Sequence, residues 1–497
     1  MAGAVKTAER TYAIGVGPAL EVTDLPAPPP MDWRSVLRVI GPSAIVLGVA
    51  IGSGEWLIGP SVTAQYGPGL LWIATVSIIL QTVLNLEMVR YTMCTGEPIF
   101  VGMARLRPGS RFWGTLLVII SFLERAWPGW AFTAATAVAV LSLGRLAGPE
   151  DSVLIIVVGA ALMLLCVVLV SVGGVIERTL EIVQWIMIGL ILIFLIAINL
   201  IVSPASAWGE TLAGFFRFGF WPAGASITLL AALAGYAGAG GLNNTTISNY
   251  YRDKGFGMGQ VVGAIPTAIG GKKITVSPAG KIFMPDEENL KRWRLWRKLS
   301  LIDIIGVFTV GAFIGMYLPN VLVTAVIPRG SQLSQWSIAA YQADALRNAV
   351  GAIGWFVPIL AGFWILFSTQ LGSVDMFTRT VTDILWFTSP RIRTWSGGQI
   401  RRVYYTVLGV FVAWALAAFV MVYGIKAQPI FLILLAANMS NVVLALTGSI
   451  ALYLNRRYLP QGVRPGWGTV TLLVIGILFW ATFATMSALT NFFGVRF

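Results

Sequence analysis

The chain has 497 residues, of which 57% are hydrophobic and only 11% are charged. Its mean hydropathy of +0.80 lies far above that of soluble globular domains, so the composition predicts an integral membrane protein. The formal net charge of +13 raises the question of a nucleic-acid partner. The basic residues, however, lie in the short connections between apolar runs, which is typical of a membrane topology and excludes nucleic-acid binding.

Histidine is absent from the sequence, and only two cysteines occur, Cys94 and Cys166, both within apolar segments. Without an imidazole the chain lacks a Ser-His-Asp triad, and any proton coupling must use carboxylates. Two such cysteines exclude a disulfide framework and a thiolate metal cluster. The glycines that flank Ser53 lack the lysine of a phosphate-binding loop. We therefore predict that the chain is not an enzyme and uses no cofactor.

Residues 1–36 are polar and rich in proline near their end. Because they contain no apolar core of a signal peptide, we expect a cytoplasmic tail. Eleven apolar runs follow that are long enough to cross a bilayer. They lie near 38–66, 69–93, 112–144, 152–172, 178–203, 224–252, 299–326, 350–384, 401–424, 428–455 and 467–492. The third, sixth and eighth runs are long, so these spans must tilt, break or protrude.

Lysine and arginine are distributed unevenly between the two sides that this topology creates. With the N-terminus inside, 27 of the 34 basic residues fall on the cytoplasmic side, six fall on the opposite side, and Arg125 lies within the third span. Cytoplasmic connections carry such an excess. We therefore predict a multi-pass protein of the cell (inner) membrane, with a cytoplasmic N-terminus and an extracytoplasmic C-terminus.

Eleven spans fit two inverted repeats of five helices followed by one more helix. We expect four parts: the tail 1–36, spans 1–5 in 37–203, spans 6–10 in 204–455, and span 11 with the C-terminus in 456–497. The second repeat contains a basic cytoplasmic loop at 253–298, including Lys272, Lys273 and the basic, tryptophan-containing run 291–298. That run predicts either binding to anionic lipid or gating, or an ordinary tryptophan-anchored start of span 7.

Two spans are interrupted by glycine. The first interruption is Ile51-Gly52-Ser53-Gly54-Glu55-Trp56, and the second runs from Gly235 to Asn244. Glycine unwinds a helix, and unwound backbone within the bilayer is tolerated where it lines a cavity. A pair of such interruptions, in corresponding helices of two repeats, marks the substrate site of many secondary transporters. The pattern therefore predicts a carrier with its site between spans 1 and 6.

Four segments resemble, in chain order, motifs of the Nramp metal-ion transporters. They are Gly41-Pro42-Ser43-Ala44 through Trp56 for the first helix, Arg90 through Pro98 for a Thr-Gly segment, Glu177-Arg178-Thr179-Leu180-Glu181 for the start of helix 5, and Phe367 through Ser373 for helix 8. The resemblance covers about residues 38–455. It implies an Nramp-related carrier of the amino acid-polyamine-organocation superfamily. The implied fold is all-α and LeuT-type, with about 11 transmembrane helices, an inverted 5+5 repeat, broken helices 1 and 6, and alternating access.

The chain departs from this family at the metal-binding positions. The family's metal-binding Asp falls on Gly52, and its Asn falls on Glu55. Its Met-Pro-His motif of helix 6 falls between Gly240 and Asn243, where none of these three residue types occurs. A thioether helps a site to prefer soft or borderline metals. The resemblance therefore implies the fold and the transport cycle more directly than it implies the substrate.

The candidate site residues group by role. We expect the substrate to be bound by Gly52, Ser53, Gly54, Glu55, Gly240, Asn243, Asn244 and Gln370. We expect a coupled proton to be carried by Glu55, Glu124 and Asp375, and a metal to be ligated by Glu55 and Asn243. The expected gate residues are Trp56 and Tyr236. Structural alternatives stay open for each of them. The carboxylates and amides can cap half-helices, the glycines can permit close helix packing, and the span 8 residues can form interhelical hydrogen bonds.

These residues predict a secondary-active transporter that carries a hard divalent cation, Mg²⁺ or Mn²⁺, with ion or proton coupling. Oxygen ligands from Glu55 and Asn243 suit such a cation. The alternative is the same fold carrying an organic solute, either a cationic amine or an amino acid, without metal transport. The expected partners are this small cation or solute and the lipid bilayer, with no nucleic acid. The oligomeric state stays open.

Overall fold

The computed structural model of the chain describes residues 11–172, 176–265, 277, 279–333, 335–425, 428, 430–495 and 497. Lys272 and Lys273 of the basic loop, and the side chain of Ser53, lie outside this description. The described residues are largely α-helical, because long apolar runs satisfy their backbone groups within the helix when they cross a membrane.

The first part of the chain, which contains spans 1–5, has nine α-helices among the described residues. These are α1 (Trp33–Val39), α2 (Pro42–Ala50), α3 (Gly59–Tyr66), α4 (Trp72–Thr95), α5 (Ile99–Ala104), α6 (Ser110–Arg125), α7 (Gly129–Leu143), α8 (Ser152–Ser171) and α9 (Ile176–Val202). A π-helical segment, Ile51–Ile58, joins α2 to α3. Span 3 consists of α6 and α7, separated by the non-helical residues 126–128.

The rest of the chain repeats this scheme. Its helices are α10 (Ala205–Gly214), α11 (Ile227–Tyr236), α12 (Gly241–Lys254), α13 (Glu287–Asp303), α14 (Val310–Val326), α15 (Ala343–Val350), α16 (Ala352–Thr388), α17 (Pro390–Trp395), α18 (Ile400–Gly424), α19 (Phe431–Arg457) and α20 (Trp467–Phe493). A π-helical segment, Ile304–Thr309, joins α13 to α14.

Ten helices among the described residues are long and apolar enough to cross a membrane. The predicted sixth span is not one of these ten, because it is divided into α11 with 10 residues and α12 with 14 residues. The ten helices and this divided span follow the eleven predicted runs in order. The predicted long third span is broken, since Ala126 to Pro128 separate α6 from α7.

Corresponding helices of the two halves pack in corresponding ways. Span 1 packs on span 5, where a Cβ at Gly48 would come 1.9 Å from Gln184 Oε1. Span 6 packs on span 10, where a Cβ at Gly235 would come 2.3 Å from the Ala437 carbonyl oxygen. The third and eighth spans, α6–α7 and α16, lie against each other between these pairs. The predicted division of the chain into two five-span repeats stays a prediction.

The N-terminal segment is packed against one end of the helix bundle. Strand β1 (Thr11–Tyr12) pairs antiparallel with β2 (Leu20–Val22), and β2 pairs parallel with β3 (Lys281–Ile282). Leu20 and Leu25 are fully buried. We call this end the basic side, because Arg105, Arg107, Arg391 and Arg393 lie around the N-terminal segment there.

The basic run of the 253–298 loop forms part of α13, which continues into span 7. Trp296 is buried, and its Nε1 donates a hydrogen bond of 2.9 Å to the Pro26 carbonyl oxygen. Arg297 donates to the Leu86 carbonyl oxygen at 3.0 Å. These side chains therefore connect α13 to the N-terminal segment and to span 2. One interpretation of the sequence predicts instead that they anchor span 7 in the lipid interface.

Candidate functional site

The predicted interruption of span 6 is present and is made by glycine. After α11 ends at Tyr236, Ala237 is extended, and Gly238, Gly240 and Gly241 have φ values of +97°, +77° and +49°. These left-handed conformations favour glycine because other L-residues are strained in them. At Gly240 a Cβ would also come 2.3 Å from the Tyr236 ring. The break therefore depends on glycine both for its backbone conformation and for its packing.

Three helices satisfy the freed N–H groups of this break. The Gly238 N–H donates to Glu55 Oε1 of span 1 at 3.0 Å. The Gly240 N–H donates to Gln81 Oε1 of span 2, also at 3.0 Å. The Leu242 N–H donates to both Glu124 oxygens of span 3 at 3.2 and 3.1 Å. The break is thus lined by acceptor side chains, because its unpaired N–H groups lie in a region without bulk water.

Gln81 is a site residue that the sequence analysis missed. Its Nε2 donates to the Ala237 carbonyl oxygen at 2.7 Å, while its Oε1 accepts from Gly240 and from Asn244 Nδ2, the latter at 2.7 Å. One amide thereby bridges both ends of the break. A buried glutamine within an otherwise apolar span was the available signal, since such polar groups normally face protein.

Span 1 takes a different form from the predicted unwound helix. Residues Ile51–Ile58 are π-helical, and the Gly59 N–H donates to the Gly54 carbonyl oxygen five residues earlier. The chain therefore widens here without breaking. π-Helical turns within α-helices are rare and occur frequently at functional sites. The widened turn places Glu55 toward the break in span 6.

Gly52 and Gly54 allow other helices to approach span 1 closely. A Cβ at Gly52 would lie 1.8 Å from Thr369 Oγ1 of span 8, and a Cβ at Gly54 would lie 2.0 Å from the Tyr236 carbonyl oxygen. Thr369 Oγ1 also lies 3.3 Å from the carbonyl oxygens of Gly48 and Val49, to which it donates. At Gly52, where the Nramp pattern has a metal-binding Asp, Thr369 occupies the space that a side chain would need. Both glycines thus have a packing role.

Glu55 is a buried carboxylate without a compensating charge. Its side chain is 0% exposed, and its Oε2 has no hydrogen-bond partner in the described structure. Among the described residues, no Lys or Arg nitrogen lies within 4.0 Å of it. The other buried carboxylates either form ion pairs or, as Asp303 and Glu124 do, accept hydrogen bonds at both oxygens.

Asn243 and Asn244 follow the break and present free acceptor atoms. Asn243 Nδ2 donates to the Ala239 carbonyl oxygen at 2.9 Å, while Asn244 Nδ2 donates to Gln81. The Oδ1 atoms of both asparagines are buried without a partner in the described structure. Their amide nitrogens therefore stabilise the break, and their oxygens stay available for a ligand that donates hydrogen bonds or carries positive charge.

Glu124 caps the second half of span 6. Besides the Leu242 N–H, its Oε1 accepts from Ser440 Oγ at 2.7 Å. A Cβ at Gly241 would overlap this carboxylate, at 1.4 Å from Oε1. A carboxylate at a helix N-terminus is stabilised by the helix dipole. Both oxygens of Glu124 are therefore occupied, in contrast to those of Glu55.

Aromatic side chains surround the break on the side away from the basic end. Trp56 is fully buried, and its ring centroid lies 5.9 Å from that of Tyr341, in the connection between spans 7 and 8. Tyr236 stacks on Trp130, with centroids 6.2 Å apart and an interplanar angle of 26°. The indole N–H groups of both tryptophans have no partner in the described residues. Each of the two predicted gate residues thus belongs to an aromatic pair, and we call these four residues the aromatic group.

Gln370 lies on the far side of span 8 from span 1. Its Oε1 accepts from the Ala131 N–H at 2.9 Å, and its Nε2 contacts Met163 Sδ at 3.7 Å. It therefore caps the N-terminus of α7 instead of facing the break. This position agrees with the interhelical alternative stated for span 8.

Asp375 belongs to a buried ionic network on the basic side of the break. It pairs with Arg379 Nε at 2.9 Å and accepts from Tyr250 and Tyr404 hydroxyls at 2.8 and 2.6 Å. Arg379 also pairs with Asp253. Arg252, next to Asp253, pairs with Asp383 at 2.6 Å. All five charged side chains of this group, which we call the inner network, are 0% exposed: Arg252, Asp253, Asp375, Arg379 and Asp383.

The inner network joins α12 to α16 and α18, while the aromatic group covers the opposite side of the break. Between them, Glu55, Asn243, Trp56 and Tyr236 are at most 3% exposed. In the described part of the chain, no group of three or more Cys, His, Asp or Glu side chains could hold a metal ion. A cation at this site would therefore rely on one carboxylate and on neutral oxygens.

Comparisons with known proteins define the fold. No protein-family model matches the sequence, and no curated protein matches it in sequence. A mutant of the manganese transporter of Eremococcus coleocola aligns with 93% of this chain and 89% of its own, at 15% identity and a TM-score of 0.62. The same transporter in complex with an aromatic bis-isothiourea substituted compound aligns over 95% and 92%, at 14% identity and 0.60. The chain has a LeuT-type fold.

A further solved structure, Mhp1, a nucleobase-cation-symport-1 family transporter in a closed conformation, aligns over 94% of this chain and 96% of its own at 14% identity, with a TM-score of 0.48. The alignment with the manganese transporter confirms the predicted all-α LeuT-type fold. Within this fold, both repeats begin with an irregular helix, π-helical in span 1 and broken in span 6. Glu55 and Gly238 join these two helices.

Proposed function

We propose that the chain is a secondary-active transporter that works by alternating access, with its solute bound at the break in span 6. The observation that carries this proposal is the state of Glu55. A charge near the centre of a membrane helix costs about 2.5–3.5 kcal/mol or more unless it is paired. Here one carboxylate oxygen is unpartnered at the point where span 1 meets the broken span 6. Such a position fits a ligand-binding group.

The closed state of the site supports the transport cycle. The inner network covers the basic side and the aromatic group covers the opposite side, so that the break is shielded from both directions. Opening one cover at a time would give alternating access. Span 6 suits such movement, because Gly238 and Gly240 lie between α11 and α12, and Gly241 begins α12. Since basic connections face the cytoplasm, we place the basic side inside, and this orientation and the cell membrane location belong to the proposal.

The first candidate substrate is an organic solute with a positively charged group. One carboxylate without a compensating charge balances one such group, and aromatic faces attract cations. Trp56 follows Glu55 in the chain, and Tyr236, which stacks on Trp130, ends the helix before the break that Glu55 contacts. The two free indole N–H groups would satisfy acceptors on the same solute. A cationic amine or an amino acid has this chemistry.

The second candidate substrate is a hard divalent cation, Mg²⁺ or Mn²⁺. The free Oδ1 atoms of Asn243 and Asn244 favour it, because such cations prefer oxygen ligands and Mg²⁺ keeps several waters. The ordered motifs in spans 1, 2, 5 and 8 support kinship with Nramp carriers as part of this proposal. The lone carboxylate favours the organic solute, because it balances the whole charge of one ammonium group but only half of the charge of a divalent cation.

Thermal stability of the purified protein tests the proposal. Wild type and Glu55→Gln are compared in a panel of Mg²⁺, Mn²⁺, Ca²⁺, amines and amino acids, because a ligand of the native state raises the apparent stability. We expect a concentration-dependent shift in wild type that is lost in Glu55→Gln, followed by uptake of the same ligand into proteoliposomes. A ligand that is bound and transported equally by both proteins would refute the assignment of the site to Glu55.

A further inference from the structure

Arg125 is a second buried charge that forms no salt bridge among the described residues, although Glu124, its neighbour in the chain, attracts it electrostatically. Its side chain is 2% exposed at the C-terminus of α6. Five arginines of the described chain are buried, and the other four each pair with a carboxylate: Arg90, Arg105, Arg252 and Arg379. Arg125 has no carboxylate oxygen within 4.0 Å among the described residues. The guanidinium is always charged, so this position is costly unless an anion shares it.

The hydrogen bonds of Arg125 leave part of the guanidinium free. Nη1 donates to Thr246 Oγ1 at 2.9 Å, and to the Met376 carbonyl oxygen and Thr380 Oγ1 at 3.3 Å each. Nε and Nη2 have no acceptor in the described structure. Arg125 therefore sits between spans 3, 6 and 8 with two donors available.

A second free donor belongs to the same helix face. Ser373, Met376 and Thr380 recur at helical spacing along α16, so Ser373 lies on the face that Arg125 contacts, toward Thr369, which approaches Gly52. The Ser373 hydroxyl is buried and has no partner in the described residues. A hydroxyl and two guanidinium nitrogens are donors that suit a carboxylate.

The other anion-binding feature nearby is already occupied. The N-terminus of a half-helix normally attracts an anionic group, and α12 offers one at the break. Glu124 accepts from this end through Leu242, and the inner network uses its own carboxylates for Arg252 and Arg379. A carboxylate of a solute would therefore meet its free donors at Arg125.

Glu55 and Arg125 thus lie on the two sides of the break, one near Gly238 and one near Thr246, and neither has an ion-pair partner in the described chain. We infer that Arg125 binds the carboxylate of the transported solute, so that the substrate is a zwitterion with an ammonium group for Glu55 and a carboxylate for Arg125. This inference rests on the proposed transport function and narrows its substrate class.

The test uses matched ligands on the purified full chain. Each set contains an amine, the amino acid with the same carbon skeleton, and the corresponding carboxylate without the amino group. The sets include both α- and ω-amino acids. Chloride is added as an inorganic anion. Apparent affinities from thermal shifts are measured for wild type, Arg125→Met, Arg125→Lys and Glu55→Gln at one pH and one ionic strength.

In wild type we expect an amino acid to bind at least tenfold more tightly than its parent amine. In Arg125→Met, which removes the charge and retains most of the volume, this ratio should fall to about one while amine binding changes less than about twofold. Arg125→Lys should recover part of the ratio. Because Arg125 forms no salt bridge among the described residues, we expect the variant to fold, with some loss of stability from the lost attraction between Arg125 and Glu124.

The outcomes separate this inference from the proposed function. If wild type and Arg125→Met bind every amino acid and every simple carboxylate with equal affinity, the inference is overturned. This holds whether or not amines bind at Glu55. If only chloride distinguishes the two proteins, Arg125 binds an inorganic anion and the zwitterion assignment is overturned. Amine binding that Glu55→Gln leaves unchanged refutes the proposed function instead.

Discussion

The Gly238 N–H donates a 3.0 Å hydrogen bond to Glu55 Oε1, and this contact connects the irregular helices of the two repeats. It gives Glu55 two roles at once. One oxygen stabilises the broken backbone, and the other is free for a ligand. The capping and binding interpretations of this residue are therefore compatible, and suitable substitutions can separate them.

Glu55→Gln should lose transport but keep the fold. A glutamine Oε1 can still accept from Gly238, so we expect a stability change below about 1 kcal/mol. The charge that balances the solute is lost, and uptake into proteoliposomes should fall at least tenfold. Glu55→Ala serves as the comparison, because it also orphans the Gly238 N–H and should destabilise by about 1–3 kcal/mol. Equal thermal stability of the Ala and Gln variants would contradict the capping role.

Gly54→Ala should destabilise the protein strongly, because the new Cβ would lie 2.0 Å from the Tyr236 carbonyl oxygen, a backbone atom that cannot rotate away. We expect a cost of about 1–3 kcal/mol or more, typical of overpacking, measured as a lower midpoint of thermal unfolding. Gly189→Ala is the matched control, since nothing lies within 4 Å of a Cβ at this membrane-helix position. A Gly54→Ala protein as stable as the Gly189→Ala protein would contradict the packing described for span 1.

The overall fold and the break in span 6 could be predicted from the sequence because their signals are local. Apolar runs define the spans, and Gly238, Gly240 and Gly241 can adopt the left-handed conformations of the break without help from other residues. The two glycines of span 1 were less informative. Glycine permits both unwinding and close packing, and the outcome here depends on Thr369 and the Tyr236 carbonyl, which approach from other spans.

The polar partners of the site could not be predicted for a similar reason. Gln81 is significant because it bridges Ala237 and Gly240, which lie more than 150 positions later in the chain. Likewise, Asp375 was expected on a proton path, whereas its two oxygens are engaged by Arg379 and two tyrosines. Its role in coupling stays a prediction. A single sequence shows that a residue is polar and lies within a span, but its partners come from the tertiary fold.

The inner network should keep the basic side closed. Asp383→Asn removes the carboxylate that pairs with Arg252 at 2.6 Å and leaves that buried guanidinium with fewer partners. We therefore expect the equilibrium to shift toward a state open on the basic side. The measurement is the rate of thiol labelling at Thr245→Cys, a buried position on α12, with Cys94 and Cys166 replaced by alanine. Labelling should accelerate several-fold relative to the same cysteine protein with Asp383 intact.

Asp286→Asn provides a control for that experiment, because Asp286 caps α13 on the same side but takes no part in the inner network. It should leave the labelling rate unchanged. If the cysteine at position 245 is labelled as slowly in the Asp383→Asn protein as in the Asp286→Asn protein, the inner network does not hold the site closed. If both label equally fast, loss of any carboxylate loosens the basic side, and the specific role of Asp383 is refuted.

Gln81→Leu should disrupt the break in span 6, although leucine suits the surrounding apolar span. The substitution orphans the Ala237 carbonyl and the Gly240 N–H, and each unsatisfied buried group costs about 1–3 kcal/mol. Gln81→Glu is the informative comparison, because its carboxylate still accepts from Gly240 and Asn244 but donates nothing to Ala237. We expect thermal stability to fall in the order wild type, Gln81→Glu, Gln81→Leu. Stability of Gln81→Leu equal to wild type would show that Gln81 does not maintain the break, since an apolar side chain cannot replace either bond.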